Sequence, residues 1–199
     1  MTPREFKEAQ EQKLIQQQEL ASNWHHPLSK GQTTLHKVLG SMQEFKLHQE
    51  DVPLIVKLTE NPDYVTSKIF TGAVDLFTHD CVHVLLGRGL LVKDEAFVIG
   101  YTMGSGKKMK RWRRNLFLWV TKYLYPEGYN FTEEERYIFY SGVMAGSQCP
   151  TDLSKVDFNN VLDYKVQAVR EKLGIDRDLL KCYYCTEKKL FKDKESQRL

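Results

Sequence analysis

The chain has 199 residues, of which 41% are hydrophobic and 28% charged, and its formal net charge is +3. This length favours a single domain over residues 1–199, and the small charge gives no indication of nucleic-acid binding. No run of 18 apolar residues exists, no secretory signal opens the chain, and Glu5, Glu8 and Glu11 are unlike a mitochondrial presequence. We therefore expect an intracellular protein, either cytoplasmic or peripheral on the cytoplasmic face of a membrane.

The hydrophobic pattern of the first half predicts helices throughout. Residues 1–30 form a polar helix and loop that we place at the edge of the fold, because apolar positions are sparse there. Residues 33–49 show an amphipathic spacing of threes and fours. Residues 51–61 form a short helix, and residues 63–87 are predicted as one long helix that stops at Gly87.

The second half continues in the same way. Asp94 and Glu95 suit the first turn of the next helix, where acidic groups interact favourably with the helix dipole. A further helix ends at Pro126, and Thr132 with Glu135 has the spacing of a capping box. Two more helices are predicted near 158–173 and 176–191. The sequence therefore predicts an all-α protein, one multi-helix domain without strands.

Polar side chains interrupt the apolar helix before Gly87. His79 and His83 are four residues apart, so both imidazoles leave the same face of a helix. Asp80 lies about 100° further around the helix and can flank a site between the two directions. Charged and polar side chains of this kind do not stabilise a hydrophobic core, so these three residues are candidates for a binding or catalytic site.

A fourth candidate comes from the following helix. Glu95 lies twelve residues after His83, and Gly87 and Gly89 allow a tight reversal between them. The chain can then form an αα corner in which Glu95 faces His83. Two imidazoles and two carboxylates would meet there, which predicts a divalent metal site at the corner.

The ligand types leave the metal open. Imidazole and carboxylate suit zinc, iron or manganese, and two histidines with one carboxylate also occur in non-haem iron sites. Asp75 precedes His79 by four residues on the same face. It is a candidate to accept a hydrogen bond from a histidine N–H, or to replace Asp80 as a ligand. The alternative for each histidine alone is a hydrogen-bonded core residue.

The spacing His-Asp-x-x-His-x11-Glu, which runs from His79 to Glu95, resembles the signature of the family of coenzyme Q (ubiquinone) biosynthesis protein four. The match covers residues 79–97. The resemblance implies an α-helical fold and a divalent metal, zinc first with iron and manganese as alternatives. It implies that the metal ligands, which would also form the catalytic group, are His79, Asp80, His83 and Glu95.

The same resemblance implies a place in quinone biosynthesis. The implied substrate is a prenylated aromatic ring precursor, which would lose its carboxylate and be hydroxylated at the same carbon 1, a lyase and oxidative decarboxylase reaction. The resemblance also implies a second role, in which the protein organises other quinone-biosynthesis proteins at the membrane, so an enzyme and a scaffold both stay open. The sequence also leaves the oligomeric state open, a homodimer included.

A basic segment precedes an aromatic helix over residues 116–125. The basic residues are Lys107, Lys108, Lys110, Arg111, Arg113 and Arg114. A basic cluster that enters an apolar helix is typical of peripheral membrane contact and of lipid binding. The cluster could contact lipid headgroups or the phosphate of an isoprenoid lipid, whereas no nucleic-acid motif accompanies it. For the aromatic residues alone we favour a core helix.

Two other functions fit parts of the sequence. One is a His-Asp-type metal phosphohydrolase, whose additional ligands would come from His36, His48 and Asp163. The other is a non-enzymatic adaptor in which the metal only stabilises the fold and the N-terminal helix, residues 3–22, docks a partner.

Cysteines and one further histidine pair carry weaker signals. Cys182 and Cys185 have the dithiol spacing, but no second pair accompanies them, and we expect both to be buried. Cys81 is expected in the core. His25 and His26 precede Pro27 and are expected on the surface.

Overall fold

The structure is a computed structural model that describes residues 22–43, 45, 74–106 and 130–199, together with positions 12, 19, 115, 117, 118 and 121. The described chain contains α-helices and no strand. The helices are α1 Leu35–Met42, α2 Leu76–Leu86, α3 Val92–Ser105, α4 Glu133–Ser147, α5 Val166–Leu173, α6 Arg177–Leu190 and α7 Lys194–Gln197. Two 3-10 turns, Leu153–Lys155 and Phe158–Val161, lie between α4 and α5. The all-α prediction is confirmed.

The core is built around α2. Its residues Cys81, Val82, Val84, Leu85 and Leu86 are all fully buried, and its histidines occupy the remaining face. Helices α1, α3 and α5 pack against it. The expectation that Cys81 lies in the core is confirmed.

Helices α3 and α4 approach each other unusually closely through glycines. A Cβ placed on Gly100 would overlap the carbonyl oxygen of Phe139, and one on Gly142 would overlap that of Phe97. Gly104 repeats this contact one turn further along α3. Because no side chain separates the backbones there, α3 is fixed tightly against α4.

Several helix ends agree with the sequence pattern. Gly87 ends α2 with φ 70°, the left-handed conformation that glycine adopts without a Cβ clash. Thr132 and Glu135 form the predicted capping box at the start of α4. Asp176 caps α6 by accepting hydrogen bonds from the backbone N–H groups of Asp178 and Leu179.

Two predicted helices were wrong in extent. The helix predicted over residues 63–87 is interrupted before Leu76, because Asp75 has extended backbone and its carboxylate caps the Thr78 N–H, and residues 63–73 lie outside the described residues. The helix predicted over residues 158–173 is divided into a 3-10 turn and α5. The Asx-type caps of Asp152 and Asp157 favour short turns in this region.

Some predicted elements lie outside the described residues. They are most of the polar N-terminal helix, the short helix at 51–61, the first part of the helix at 63–87, the basic segment at 107–114 and most of the aromatic helix at 116–125. None of the helices that the structure describes combines the length and the apolar character needed to cross a bilayer.

Candidate metal centre

The corner between α2 and α3 brings the motif together. Helix α2 ends at Leu86, four residues follow Gly87, and α3 begins at Val92. The Asp94 carboxylate accepts a hydrogen bond from the Leu91 N–H at 3.2 Å and so closes the first turn of α3. Glu95 lies in this turn, as predicted, and its side chain is directed at the last turns of α2.

Three side chains meet at one point. The Nε2 atom of His79 lies 3.2 Å from Oε2 of Glu95, and the Nε2 atom of His83 lies 3.2 Å from Oε1. The two imidazole centroids are 4.6 Å apart and the rings are nearly perpendicular. Candidate ligand atoms of all three residues lie within 4.8 Å of one another. The predicted convergence of His79, His83 and Glu95 at an αα corner is therefore present.

His83 is held in one orientation. Its side chain is fully buried, and its Nδ1 lies 2.7 Å from the carbonyl oxygen of Gly89. A carbonyl only accepts hydrogen bonds, so Nδ1 carries the proton and donates it. In the neutral imidazole Nε2 then presents its lone pair to the Glu95 carboxylate.

The charge balance keeps Glu95 ionised. Burial on its own would raise the pKa of the Glu95 carboxyl, but the facing His83 and His79 lower it well below its usual range. An ionised carboxylate is the form in which Glu95 would bind a metal. The histidines lower its pKa as positively charged hydrogen-bond donors and would bind a metal only as neutral imidazoles.

The three residues fit a divalent cation. A neutral His83 and an ionised Glu95 would place two acceptors 3.2 Å apart, an arrangement that a cation between them stabilises. Zinc holds nitrogen and oxygen ligands at about 2.0–2.1 Å in a tetrahedron, whose corners are then about 3.3 Å apart. The observed separations suit such a site. A protonated imidazole paired with the carboxylate is the alternative arrangement.

Asp80 and Asp75 have other surroundings. Asp80 is buried but does not belong to the group of three whose ligand atoms lie within 4.8 Å. Its role as a ligand stays a prediction. Asp75 accepts a hydrogen bond from the Thr78 N–H at 2.7 Å and so caps α2. A contact of Asp75 with a histidine N–H also stays a prediction.

A buried charge network that the sequence analysis missed lies behind the corner. Arg88 is fully buried and binds Glu187 of α6 through both terminal nitrogens, at 2.9 and 2.5 Å. Burial alone would lower the pKa of Arg88, but Glu187 raises it above its ordinary value. Arg198 forms an ion pair with Asp94 and donates to the Ser22 carbonyl. In the sequence, the only indication of this network is that the charged Arg88 stands between two glycines, in the stretch "GRG".

The end of α2 has side-chain donors on four consecutive carbonyls. Arg170 donates to those of Val84 and Leu85, and the hydroxyl of Tyr184 donates to that of Leu86 at 2.6 Å. The ring of His25 contacts the Gly87 carbonyl at 3.1 Å. Because the last carbonyls of a helix have no partner within it, these donors stabilise the turn that carries His83.

Two smaller expectations, for the cysteine pair and for the histidine pair, were wrong. Cys182 and Cys185 are exposed, because the buried face of α6 is formed by Leu180, Tyr184 and Glu187. His25 and His26 are both half-buried and not on the open surface, and His25 lies at the corner. Burial lowers its pKa, so its neutral ring donates to Gly87.

The other candidate positions contribute no second site in the described chain. His36 and Asp163 are exposed and belong to no metal-ligand group there, and His48 lies outside the described residues. The six basic residues of the predicted membrane contact, from Lys107 to Arg114, also lie outside them. Phe117 and Leu118, in the following aromatic segment, are buried, in agreement with the core-helix interpretation.

No protein-family model, curated protein or solved structure matches this chain.

Proposed function

We propose that the chain is a metal-binding protein in which His79, His83 and Glu95 hold one divalent ion, zinc first. The convergence of two imidazole Nε2 atoms on the two oxygens of one carboxylate, each at 3.2 Å, carries this proposal. The side chains of His79 and Glu95 are 18% and 32% exposed, whereas His83 is inaccessible. A ligand could therefore approach from the side of His79 and Glu95.

We propose further that the protein acts in ubiquinone biosynthesis, on a prenylated aromatic ring precursor at a membrane surface. The spacing His-Asp-x-x-His-x11-Glu supports this assignment, and the αα corner supports the part of it that concerns the metal. Carbon-1 decarboxylation with hydroxylation is the proposed reaction, in which CO2 leaves, a hydroxyl group takes its place and dioxygen accepts the two electrons. Organisation of the quinone-pathway enzymes is the non-enzymatic form of the same proposal. The basic segment at 107–114 is the proposed membrane contact.

The residues of the chain have separable roles in this proposal. The bound ion would supply Lewis-acid or redox chemistry at the ring carboxylate or carbon. The Glu95 carboxylate stays ionised at neutral pH, and its negative charge would offset the charge of the ion. His83 is oriented by Gly89, and His79 lies on the more exposed side of the group.

Metal content tests the first part. We expect about one equivalent of zinc, iron or manganese in the purified wild-type protein by plasma mass spectrometry. His83→Ala should lose it, whereas His36→Ala, which removes an exposed histidine outside the group, should retain it. An absence of metal from the wild type after reconstitution with each ion would refute the site.

Quinone levels test the second part. Wild-type protein should restore ubiquinone in a strain that lacks the family member, and Glu95→Ala should not. If Glu95→Ala restores normal levels while it lacks metal, the metal has no part in the chemistry. If wild type binds metal but restores nothing, the quinone assignment falls and the metal site remains.

A further inference from the structure

The loop that orients His83 is anchored to a distant helix by one residue. Arg88 lies between Gly87 and Gly89, and its guanidinium forms a two-pronged ion pair with Glu187, ninety-nine residues away on α6. Both side chains are buried, at 0% and 2% exposure. Arginine matches a carboxylate in this paired geometry, and lysine does not.

Aromatic rings restrict the guanidinium further. It lies 4.1 Å from the ring centroid of Phe97 and 4.4 Å from that of Tyr184, and its Nη1 is 3.8 Å from Asp94. Phe97 and Asp94 lie on different turns of α3, and Tyr184 lies on α6. The side chain therefore has little freedom to move, and neither does the backbone that carries it.

That backbone contacts His83 twice. The Arg88 N–H donates to the His83 carbonyl at 3.1 Å, and the next residue, Gly89, accepts the hydrogen bond from the His83 ring at 2.7 Å. The guanidinium of Arg198 also packs against Gly89, where a Cβ on Gly89 would overlap it. The position of the Gly89 carbonyl thus depends on where Arg88 is held.

We propose that Arg88, anchored by Glu187, is a positioning residue for His83. It fixes the Gly89 carbonyl, which accepts the hydrogen bond from Nδ1 of His83, favours the tautomer protonated at Nδ1, and so turns Nε2 toward Glu95. The effect on metal affinity rests on the proposed metal function, whereas the effect on the tautomer does not.

Two variants test this. Glu187→Gln removes the negative charge that binds Arg88, and Arg88→Lys keeps the positive charge but cannot form the two-pronged ion pair. The tautomer of His83 is read in the metal-free protein at pH 8 by ¹⁵N NMR of the imidazole nitrogens. Wild type should show a protonated Nδ1, and both variants a mixture. Zinc dissociation constants, measured by chelator competition, should rise about 10- to 100-fold.

Asp157→Ala is the matched control. It removes the exposed cap of the 3-10 turn Phe158–Val161, between α4 and α5, at a stability cost of about 1 kcal/mol. It should change neither the tautomer nor the zinc affinity, so general destabilisation is separated from positioning. If Glu187→Gln does not fold, Arg88→Lys carries the comparison, because it retains the charge.

The outcomes separate the two proposals. If folded variants keep the wild-type tautomer and bind zinc within twofold of wild type, Arg88 has no positioning role, although the metal site stands. If the wild type binds no zinc but the variants lose the tautomer, the positioning role stands and the metal function falls. A loss of affinity that Asp157→Ala shares would show a merely structural effect.

Discussion

The Nε atom of Arg170 lies 2.7 Å from the carbonyl oxygen of Leu85 at the end of α2. The other two contacts of this buried guanidinium are also with backbone carbonyls, of Leu28 at 2.9 Å and of Val84 at 3.2 Å. Burial and the neighbouring Arg177 lower the pKa of Arg170 to about 10, so it is still charged at neutral pH. A cation at a helix C-terminus interacts favourably with the helix dipole.

Replacing Arg170 should therefore be costly. In Arg170→Met three buried carbonyls lose their donor, and the free energy of unfolding should fall by about 3 kcal/mol. Urea denaturation of the metal-free protein measures this. The control, Lys181→Met on the exposed surface of α6, should change stability by less than about 0.5 kcal/mol. Equal effects of the two substitutions would contradict the role of Arg170.

The close approach of α3 and α4 makes a second prediction. Gly100→Ala places a methyl group against the Phe139 carbonyl, so the two helices must move apart. The free energy of unfolding should fall by about 1–3 kcal/mol. Gly40→Ala in α1 is the control, because nothing lies within 4 Å of its Cβ position. That substitution should stabilise by about 0.5–1 kcal/mol through helix propensity. Thermal unfolding followed by circular dichroism compares the two, and destabilisation by both would argue against a local clash.

Glu195 should make stability depend on pH. Burial, with a contribution from Asp94, raises the pKa of Glu195 from 4.5 to about 7. The folded state thus binds a proton more tightly than the unfolded chain, so stability is greatest below the unfolded pKa and falls as the pH rises to about 7. The expected decrease is about 1–3 kcal/mol.

The variant Glu195→Gln tests that dependence. Its amide oxygen can still accept the hydrogen bond from the Lys93 N–H, which Glu195 accepts at 2.8 Å, but it does not titrate. Its free energy of unfolding in urea, in the presence of a chelator, should decrease less between pH 4.5 and 7 than that of wild type. The same slope in both proteins would show that other groups cause the dependence.

Asp80 and Glu95 are expected to differ as ligands. Glu95→Gln removes the charge on which both histidines converge, and zinc affinity should fall more than about 100-fold. Asp80→Asn should weaken binding by about tenfold or less, because Asp80 lies outside the group of three. Chelator competition measures both, and equal losses would place Asp80 among the ligands, as the sequence resemblance implies.

Much of the site could be predicted from local spacing. The His79 and His83 pair follows from the helical repeat, and the glycine at 87 predicts the end of α2. The acidic residues at 94 and 95 predict the first turn of α3, where Glu95 is found. Spacing failed for the start of α2, because the carboxylate of Asp75 competes as a cap with continuation of the helix.

Contacts between distant segments could not be predicted in this way. Nothing in a linear pattern pairs Arg88 with Glu187 or Arg170 with the carbonyls of α2, because neither pair is related by a helical or strand repeat. The exposure of Cys182 and Cys185 likewise depends on which face of α6 meets the core. Periodicity indicates that a helix has a buried face, and its neighbours decide which one.

The sequence by itself determined the helical class, the corner after Gly87 and the set of groups available to a metal, because these depend on residue type and on separations of a few positions. Only the tertiary structure decided that Glu95 reaches both histidines at 3.2 Å and that Gly89 orients His83. The angle between α2 and α3 sets those distances. Buried contacts of Arg88, Arg170 and the closely packed α4 hold that angle, and they form only when the chain is folded.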